Sequence, residues 1–310
     1  MWSFNEKLVT IRNRVMRNKI VAILSVVVLI LIFVSLLVSG FITSLGVRFA
    51  KLPVSVPTAF ATPTEFITPT PTDIPFTTYT KPVIEKKDRY DIYLIGDSMT
   101  HAFGPRGGIF NELLSQAFPG TFFEISNYAE ANQSILLLPA RLQEPVQADH
   151  DLLLNPVLEG EPELIIIESF GYNPLSQFGL EEGLKKQEEV LTDVMTTLTN
   201  RFPDTAIMFL ATIAPDKLSY ARNVNQGSAD GRWAQAEERI EYITNHIEYA
   251  NEHNIPVINA YQESLDADGD GDTKYINPDD NIHPSAEGLA LIGRIITQKI
   301  VEESIFPEPE

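Results

Sequence analysis

The sequence predicts an α/β protein: one three-layer α/β/α domain around a mainly parallel sheet, preceded by a single transmembrane helix. From about residue 88 onward, short continuous apolar runs alternate with longer amphipathic stretches, which is typical of a parallel sheet covered on both faces. Nearer the N-terminus, the 28 residues 20–47 carry no charge and are long enough to cross a bilayer as a helix. A segment rich in proline and threonine separates these two parts.

The N-terminal segment predicts a membrane anchor. Residues 1–19 carry an excess of Lys and Arg, so we expect them to stay cytoplasmic and the following domain to be extracytoplasmic. The apolar run 20–47 exceeds the roughly 7–15 residues of a signal-peptide core. An anchor that is not cleaved is therefore favoured over a signal cleaved near Ala59-Phe60-Ala61, and over a buried core helix.

Residues 48–87 are predicted to be a linker. Seven prolines and nine threonines lie between Pro53 and Pro82. Proline removes backbone donors and favours the extended polyproline II conformation. The segment fits either a spacer that holds the domain away from the membrane or a disordered tether.

The remaining residues, 88–310, form one domain whose elements follow in order along the chain. Strands are predicted where short apolar runs are bounded by turn residues, and helices where apolar residues recur with helical spacing, the last one with Pro284 in its first turn. The strands are expected at 90–96, 122–129, 163–171, 205–215 and 255–261, and the helices at 108–118, 180–202, 232–253 and 284–304. In such sheets ligands bind at the carboxyl ends of the strands, near a topological switch point.

Charge and composition exclude several classes of function. Residues 88–310 contain 13 Lys/Arg and 38 Asp/Glu, a net charge of −25. A domain this acidic repels phosphate backbones, so nucleic acid is not an expected partner. The chain has no cysteine, which excludes a thiol nucleophile, a disulfide framework and a thiolate metal site.

Ser98 is the first candidate for chemistry. It follows the predicted strand "YDIYLIG" in Gly96-Asp97-Ser98, at a strand end where such a fold places its ligands. The three residues are also ordinary turn formers. A serine nucleophile needs a base, so the interpretation depends on the histidines.

Of the histidines, His283 is the best candidate base. His246 and His253 lie on a polar helix expected to face solvent, His150 starts an acidic loop, and His101 follows the serine closely and is expected at most to line the pocket. Asp280 precedes His283 by three residues, a spacing at which a tight turn lets the carboxylate accept from Nδ1 and leaves Nε2 free. A structural turn with a surface histidine remains the alternative.

Asn173 is the third candidate. It lies in "FGYNP" after the strongest apolar strand, where its side-chain amide can donate to an oxyanion. Gly171 is expected to allow a sharp exit from the strand. An ordinary Gly-x-Asn-Pro turn is the alternative.

Taken in order, these motifs resemble the SGNH or GDSL hydrolase family over about residues 88–304, and the flavodoxin-like sheet of that family is the fold the resemblance implies. It implies that Ser98 is the nucleophile and its N–H an oxyanion donor, that Asn173 is a second donor, and that His283 is the base oriented by Asp280. The family's second motif runs Asn-x-x-x-x-Gly, whereas "NYAEANQS" begins at Asn127 and has Asn132 at the glycine position. The Asn132 N–H is the expected third donor, because Asn tolerates the left-handed conformation; Ala129 is the alternative.

An aspartate-rich loop predicts either a cation site or a solvated turn. Asp266, Asp268 and Asp270 match the first half of a calcium loop, but its twelfth position is Asn277 instead of Glu. A structural Ca²⁺ is thus one hypothesis and a solvated acidic loop the other. No cofactor is required for the expected chemistry.

The resemblance implies a serine esterase. O-acyl groups on a surface glycan are the expected substrate, given the predicted location and the acidic domain. A lipid ester (lipase or lysophospholipase chemistry), transfer of the acyl group, and a non-catalytic surface binding domain that keeps the fold are the alternatives.

Overall fold

The structure, a computed structural model, describes residues 76–149, 151–225 and 227–308. The predicted basic segment, the anchor and the linker up to residue 75 lie outside the described residues. Within the described part, no helix is both long and apolar enough to cross a membrane.

The sheet has the topology that the strand–helix alternation predicts. Five parallel strands lie in the order β2-β1-β5-β6-β7, and a two-stranded antiparallel pair, β3-β4, which the sequence did not predict, lies apart from them. The strands are β1 (Arg89–Ile95), β2 (Phe122–Asn127), β3 (Val146–Asp149), β4 (Leu152–Leu154), β5 (Leu164–Glu168), β6 (Ala206–Ala211) and β7 (Val257–Asn259). The direction of chain progression reverses between β1 and β5, which makes their carboxyl ends the switch point.

Helices cover both faces of the sheet. The helices are α1 (Ser98–His101), α2 (Gly108–Ala117), α3 (Leu138–Arg141), α4 (Leu180–Arg201), α5 (Ala229–Glu252), α6 (Ala260–Glu263) and α7 (Ala286–Glu302), with single 3₁₀ turns at Ile135–Leu137, Val157–Glu159, Ser176–Phe178 and Thr273–Tyr275. Helix α2 packs beside α7, and α4 packs beside α5. The five predicted strands and four long helices are confirmed, and the short helices α1, α3 and α6 are additional.

Alternation of side chains along the strands divides the core in two. Ile92 and Leu94 of β1 belong to the cluster under α2 and α7, whereas Tyr93 and Ile95 belong to the cluster under α4 and α5. Successive side chains of a strand point to opposite faces, so a run that is apolar at every position buries both sides. This is the physical reason why these runs form internal parallel strands.

The end of the predicted linker packs on the domain. Residues 76–87 contain no helix or strand, yet Phe76, Tyr79 and Ile84 are buried. The Tyr79 hydroxyl accepts a hydrogen bond from the N–H of Ile207 at 2.7 Å, at the start of β6. Contacts with the domain therefore begin before the boundary predicted at residue 88, because this stretch has apolar side chains that join the two core clusters.

The prediction that His246 faces solvent is wrong. Its side chain is fully buried, stacked on Phe209 with 4.3 Å between ring centroids. Nε2 donates to the carbonyl of Ile167 at 3.2 Å, and burial lowers the pKa of His246 to about 3. Tyr242, His246 and Tyr249 form a buried stripe with helical spacing, which the many charged residues elsewhere on α5 conceal in the sequence.

Candidate active site

Ser98 lies at the switch point of the sheet. Asp97 ends the loop after β1, and its carboxylate accepts from the N–H of Met99 at 2.9 Å, which caps the short helix α1. Ser98 is the first residue of that helix and is half-buried. Gly96 is required by a close approach, because a Cβ atom there would lie 2.8 Å from the Cβ of Glu168. The serine is thus presented at a tight junction of β1 and β5.

Asp280 and His283 form the turn that their spacing predicts. The Asp280 carboxylate lies 2.7 Å from His283 Nδ1 and also accepts the backbone N–H groups of Ile282 and His283 at 2.8 and 3.0 Å. Burial raises the pKa of Asp280, but these hydrogen bonds outweigh that effect and lower it below the ordinary value. Asp280 is therefore ionised at neutral pH and holds the imidazole, and within the described part of the chain no hydrogen bond to His283 Nε2 occurs.

The chain after His283 begins the last helix. Ser285 is the N-cap of α7 and accepts from the N–H of Gly288 at 3.0 Å. Pro284 thus precedes the helix rather than lying in its first turn, because the serine hydroxyl caps the helix one residue later than predicted.

The Asp280–His283 turn reaches the same edge of the sheet as Ser98. Burial raises the pKa of the Asp97 carboxyl, and the charge of His283 is among the causes that oppose this rise, as expected of near neighbours. The turn is braced by the loop after β6, where the N–H of Ala221 donates to the carbonyl of Asn281 at 3.1 Å. Among the described residues, no hydrogen bond joins Ser98 Oγ to His283; such bonds are often long without substrate.

Asn173 reaches the serine segment through Asp97. Its Nδ2 donates to the second oxygen of the Asp97 carboxylate at 2.8 Å, which leaves the other N–H of the amide available. The explanation expected for Gly171 is wrong. Phe170 has the left-handed conformation, with φ 54°, whereas a Cβ on Gly171 would lie 2.5 Å from Cγ1 of Ile243 in α5. Glycine is needed there because the helix packs closely against it.

The loop of the second motif is tied to the serine segment at several points. The Asn127 side chain donates to the carbonyls of Thr100 and Gly104 at 2.9 and 3.0 Å, and the N–H of Glu130 donates to the carbonyl of Gly96 at 3.3 Å. Asn132 is exposed and has φ 58°. The left-handed conformation expected from the glycine of the motif is confirmed, and Asn is among the residues that tolerate it best.

The other histidines have structural contacts. His101 Nδ1 is 2.9 Å from the carbonyl of Ala129, which joins α1 to the second-motif loop. His253 lies at the end of α5, where its Nδ1 is 2.6 Å from the carbonyl of Thr77. His150 lies outside the described residues.

The aspartate-rich loop closes on its own backbone. The Asp266 carboxylate accepts the N–H groups of Asp268 and Asp270 at 2.9 and 3.0 Å, and Asp270 accepts the N–H of Lys217 at 3.2 Å. No group of three or more His, Asp or Glu side chains that could hold a metal ion occurs in the described part of the chain. The Asp266 and Asp270 carboxylates thus accept backbone donors, and the calcium site stays a prediction.

One residue of the site was missed from the sequence. Glu168, the last residue of β5, is fully buried and accepts the N–H of Asp97 at 3.2 Å. Asp97 was expected only to shape the turn. The signal was present in "LIIIE", where a single carboxyl ends an otherwise apolar strand.

The fold and these contacts define a class of protein: a three-layer α/β enzyme with a serine, an Asp–His pair and a side-chain amide at one edge of a parallel sheet. The chain belongs to the GDSL-like lipase/acylhydrolase family, whose family model matches residues 94–291. It is an ester hydrolase of the SGNH/GDSL type. The alternative of a non-catalytic binding domain is therefore not retained.

Three solved structures are similar to the chain at low sequence identity. A protein described as a GDSL-like lipase from Parabacteroides merdae is 16% identical with a TM-score of 0.52, and the match covers 73% of this chain and all of that one. A lipase/acylhydrolase from Enterococcus faecalis is 18% identical with a TM-score of 0.48, and the match covers 69% of this chain and 96% of that one. An acetylxylan esterase from Geobacillus stearothermophilus is 15% identical with a TM-score of 0.43, and the match covers 68% of this chain and 94% of that one. No curated protein matches the chain.

Proposed function

We propose that the protein hydrolyses a carboxylic ester through Ser98, His283 and Asp280. The observation that carries this proposal is the 2.7 Å contact between Asp280 and His283 Nδ1, which leaves Nε2 free to take a proton. In the proposed reaction Nε2 accepts the proton of Ser98 Oγ as Oγ attacks the ester carbonyl. The same nitrogen then protonates the leaving alcohol, and a water molecule releases the acyl group.

The oxyanion is proposed to be held by three donors. They are the N–H of Ser98, the N–H of Asn132 and the free side-chain N–H of Asn173. The bond from Asn173 to Asp97 supports this role, because an amide held by one N–H presents the other in a fixed direction. The left-handed φ of Asn132 supports its place in the glycine position of the motif.

The proposed substrate is a neutral ester, in particular an O-acyl group on a surface glycan. The acidic domain, with a net charge of −25 over residues 88–310, favours a neutral or cationic substrate over a phosphorylated one. The predicted anchor at residues 20–47 and linker at 48–87 would hold the domain outside the membrane, where such glycans occur. We propose this location on the sequence pattern alone.

A lipid ester is the second candidate substrate. Leu136 and Leu137 follow the Asn132 turn and are 37% and 51% exposed. Exposed apolar side chains on the segment that follows the second motif favour an acyl chain as a ligand. Chain length of the acyl group is therefore the property that separates the two candidates.

Two measurements test the proposed function. A fluorophosphonate probe should label the full-length protein, and Ser98→Ala should abolish labelling; labelling that persists in this variant would remove Ser98 as the nucleophile. A series of p-nitrophenyl esters of rising chain length, run beside acetate release from acetylated polysaccharide, separates the substrates. Preference for acetyl esters supports the glycan, and preference for long chains supports the lipid.

A further inference from the structure

Asp97 and Glu168 form a buried carboxyl pair directly behind Ser98. Both side chains are fully buried. Gly96 allows the pair to form, because any larger residue would place its Cβ 2.8 Å from the Cβ of Glu168. The chemistry described so far uses Asp97 as an acceptor and gives Glu168 no part.

The hydrogen bonds around the pair are unevenly shared. Asp97 accepts from Met99 N–H at 2.9 Å and from Asn173 Nδ2 at 2.8 Å, one bond to each carboxylate oxygen. Glu168 accepts from the Ser169 hydroxyl at 2.6 Å, from Phe170 N–H at 3.1 Å and from Asp97 N–H at 3.2 Å. The backbone N–H of Asp97 therefore binds one carboxyl while its side chain lies beside the same group.

Two carboxyls that are buried side by side cannot both be ionised at neutral pH, because two desolvated like charges repel strongly. Burial and then the charge of Asp97 raise the pKa of Glu168 well above its ordinary value, although the bonds from the Ser169 hydroxyl and the Asp97 N–H oppose this rise. Burial also raises the pKa of Asp97, but the bonds from Met99 and Asn173 and the charge of His283 oppose that rise. The pair therefore carries one negative charge, which we place on Asp97 because its carboxylate holds the Asn173 amide and its pKa is raised less than that of Glu168.

The other titratable and charged groups near the pair make their hydrogen bonds elsewhere. Tyr172 donates to the carbonyl of Ile213, and His283 is bound to Asp280. From α5, His246 donates to the carbonyl of Ile167, and Arg239 donates to Gln235 and Glu238. Within the described residues, no cation is therefore hydrogen-bonded to either carboxyl of the pair.

We propose that Glu168 is a positioning residue that stays protonated beside Asp97 and so keeps Asp97 as the single anion that holds the Asn173 amide. This inference rests on the proposed role of Asn173 as an oxyanion donor. If Glu168 loses its proton at alkaline pH, two adjacent negative charges repel and Asp97 shifts. The Asn173 amide then loses its fixed direction, and kcat falls while KM changes little.

The pair is tested by Glu168→Gln and Glu168→Ala. Gln keeps the volume and the neutral, donating character of the protonated acid, so we expect E168Q to retain a kcat at least tenfold above that of E168A at pH 7. We also expect the alkaline fall in kcat of the native protein to disappear in E168Q. Infrared spectroscopy should show a protonated-carboxyl C=O band at pH 7 that is absent in E168Q.

Gln187→Met is the matched control. Gln187 is equally buried and donates to the carbonyls of Ser169 and Tyr242, and among the described residues it makes no hydrogen bond to either carboxyl of the pair. We expect Q187M to keep the infrared band and the fall in kcat at alkaline pH, even if it lowers the melting temperature. If Q187M also lost the infrared band or the fall in kcat at alkaline pH, the effect would come from a general loss of packing, and the proposal would be overturned.

Other outcomes separate this inference from the proposed function. No difference in the protonated-carboxyl band between native protein and E168Q would show that Glu168 does not hold the proton and would overturn the proposal, whatever the kinetics. An E168Q variant as slow as E168A, with an unchanged alkaline limb, would overturn the positioning role. Asn173→Ala is measured in parallel: a native rate there would remove the oxyanion role of Asn173, while the infrared result still reports on Glu168.

Discussion

Two histidines in two regions of this molecule have opposite environments. His283 lies in a loop at the carboxyl edge of the sheet, 37% exposed at the side chain and bound to Asp280. His246 lies on α5, fully buried against Phe209, with a carbonyl as its hydrogen-bond acceptor. A carboxylate partner stabilises a charged imidazole, whereas burial excludes one. The edge loops are thus suited to move protons and the interior of α5 to stabilise the fold.

Exchange of each histidine for alanine gives the largest contrast. We expect His283→Ala to lower kcat/KM by about 10³–10⁶-fold, as removal of a general base does in serine hydrolases, with little change in melting temperature. His246→Ala should instead cost about 2–5 kcal/mol of stability through the cavity it leaves, with turnover per folded molecule retained. Ester hydrolysis and thermal melting of both variants check this. If both variants were fully folded and lost the same factor in kcat/KM, the contrast between the two histidines would be contradicted.

Asp280→Asn should have the next largest effect. The amide keeps the size of the side chain but not the charge that holds the imidazole, so we expect kcat to fall by up to about 10⁴-fold. The loss is measured with an activated acetate ester. The backbone bonds to Ile282 and His283 remain possible with the amide oxygen, so a folded variant with native kcat would remove Asp280 from the proposed mechanism.

Asn173→Ala tests another polar side chain at the same edge. Loss of one oxyanion donor costs about 10²–10³ in rate, and we expect this loss in kcat with the fold retained. Steady-state kinetics at fixed pH measure it, with circular dichroism as the check on folding. If the variant turned over at the native rate, the amide would serve only to bind Asp97.

The pH dependence of stability tests the environment of His246, the buried histidine of the comparison. The folded pKa of His246 is about 3, below the unfolded value of about 6.5, so the unfolded chain gains the proton first as pH falls. Its contribution to stability is complete above the unfolded value and decreases as pH falls from there towards 3. Between pH 7 and 5 the loss is about 2 kcal/mol.

Denaturant unfolding at both pH values measures this loss. In His246→Gln the contribution should be absent, so the native protein should lose about 2 kcal/mol more than the variant between pH 7 and 5. Parallel losses in the two proteins would show that His246 is not buried and neutral as described.

The smallest effect is expected from removal of divalent cations. Because Asp266 and Asp270 bind backbone N–H groups, we expect a chelator to leave the melting temperature and ester hydrolysis unchanged. Calorimetry with added Ca²⁺ is the complementary measurement. A clear binding isotherm, together with a lower melting temperature in chelator, would contradict this expectation and support the calcium hypothesis for the aspartate-rich loop.

Local patterns decided most of what was predictable. The apolar runs gave the strands within a few residues, because a strand buried on both faces must be apolar at every position. The spacing of Asp280 and His283 predicted their bond, because residues three apart meet in a turn. The tolerance of Asn for positive φ predicted the conformation of Asn132. Each of these depends on neighbours in the sequence.

Long-range packing decided what was missed. Gly171 is glycine because Ile243 of α5 lies against it, 72 residues further along the chain. His246 is buried because its stripe of α5 covers β6, although charged residues dominate the sequence of that helix. Neither contact has a signal within one segment, since each is created when two distant elements pack.

The sequence by itself determined the class of fold and the order of the motifs, and it singled out Ser98, Asn173, Asp280 and His283 as candidate site residues, because these depend on local periodicity and turn chemistry. Only the tertiary structure decided how they are held. The parallel order of the strands brings β1 next to β5, and this adjacency alone places Asp97 against Glu168 and Asn173. The physical reason is that the ionisation state of a buried carboxyl depends on the groups around it in space. Those groups come from distant parts of the chain, so no single segment of the sequence contains them.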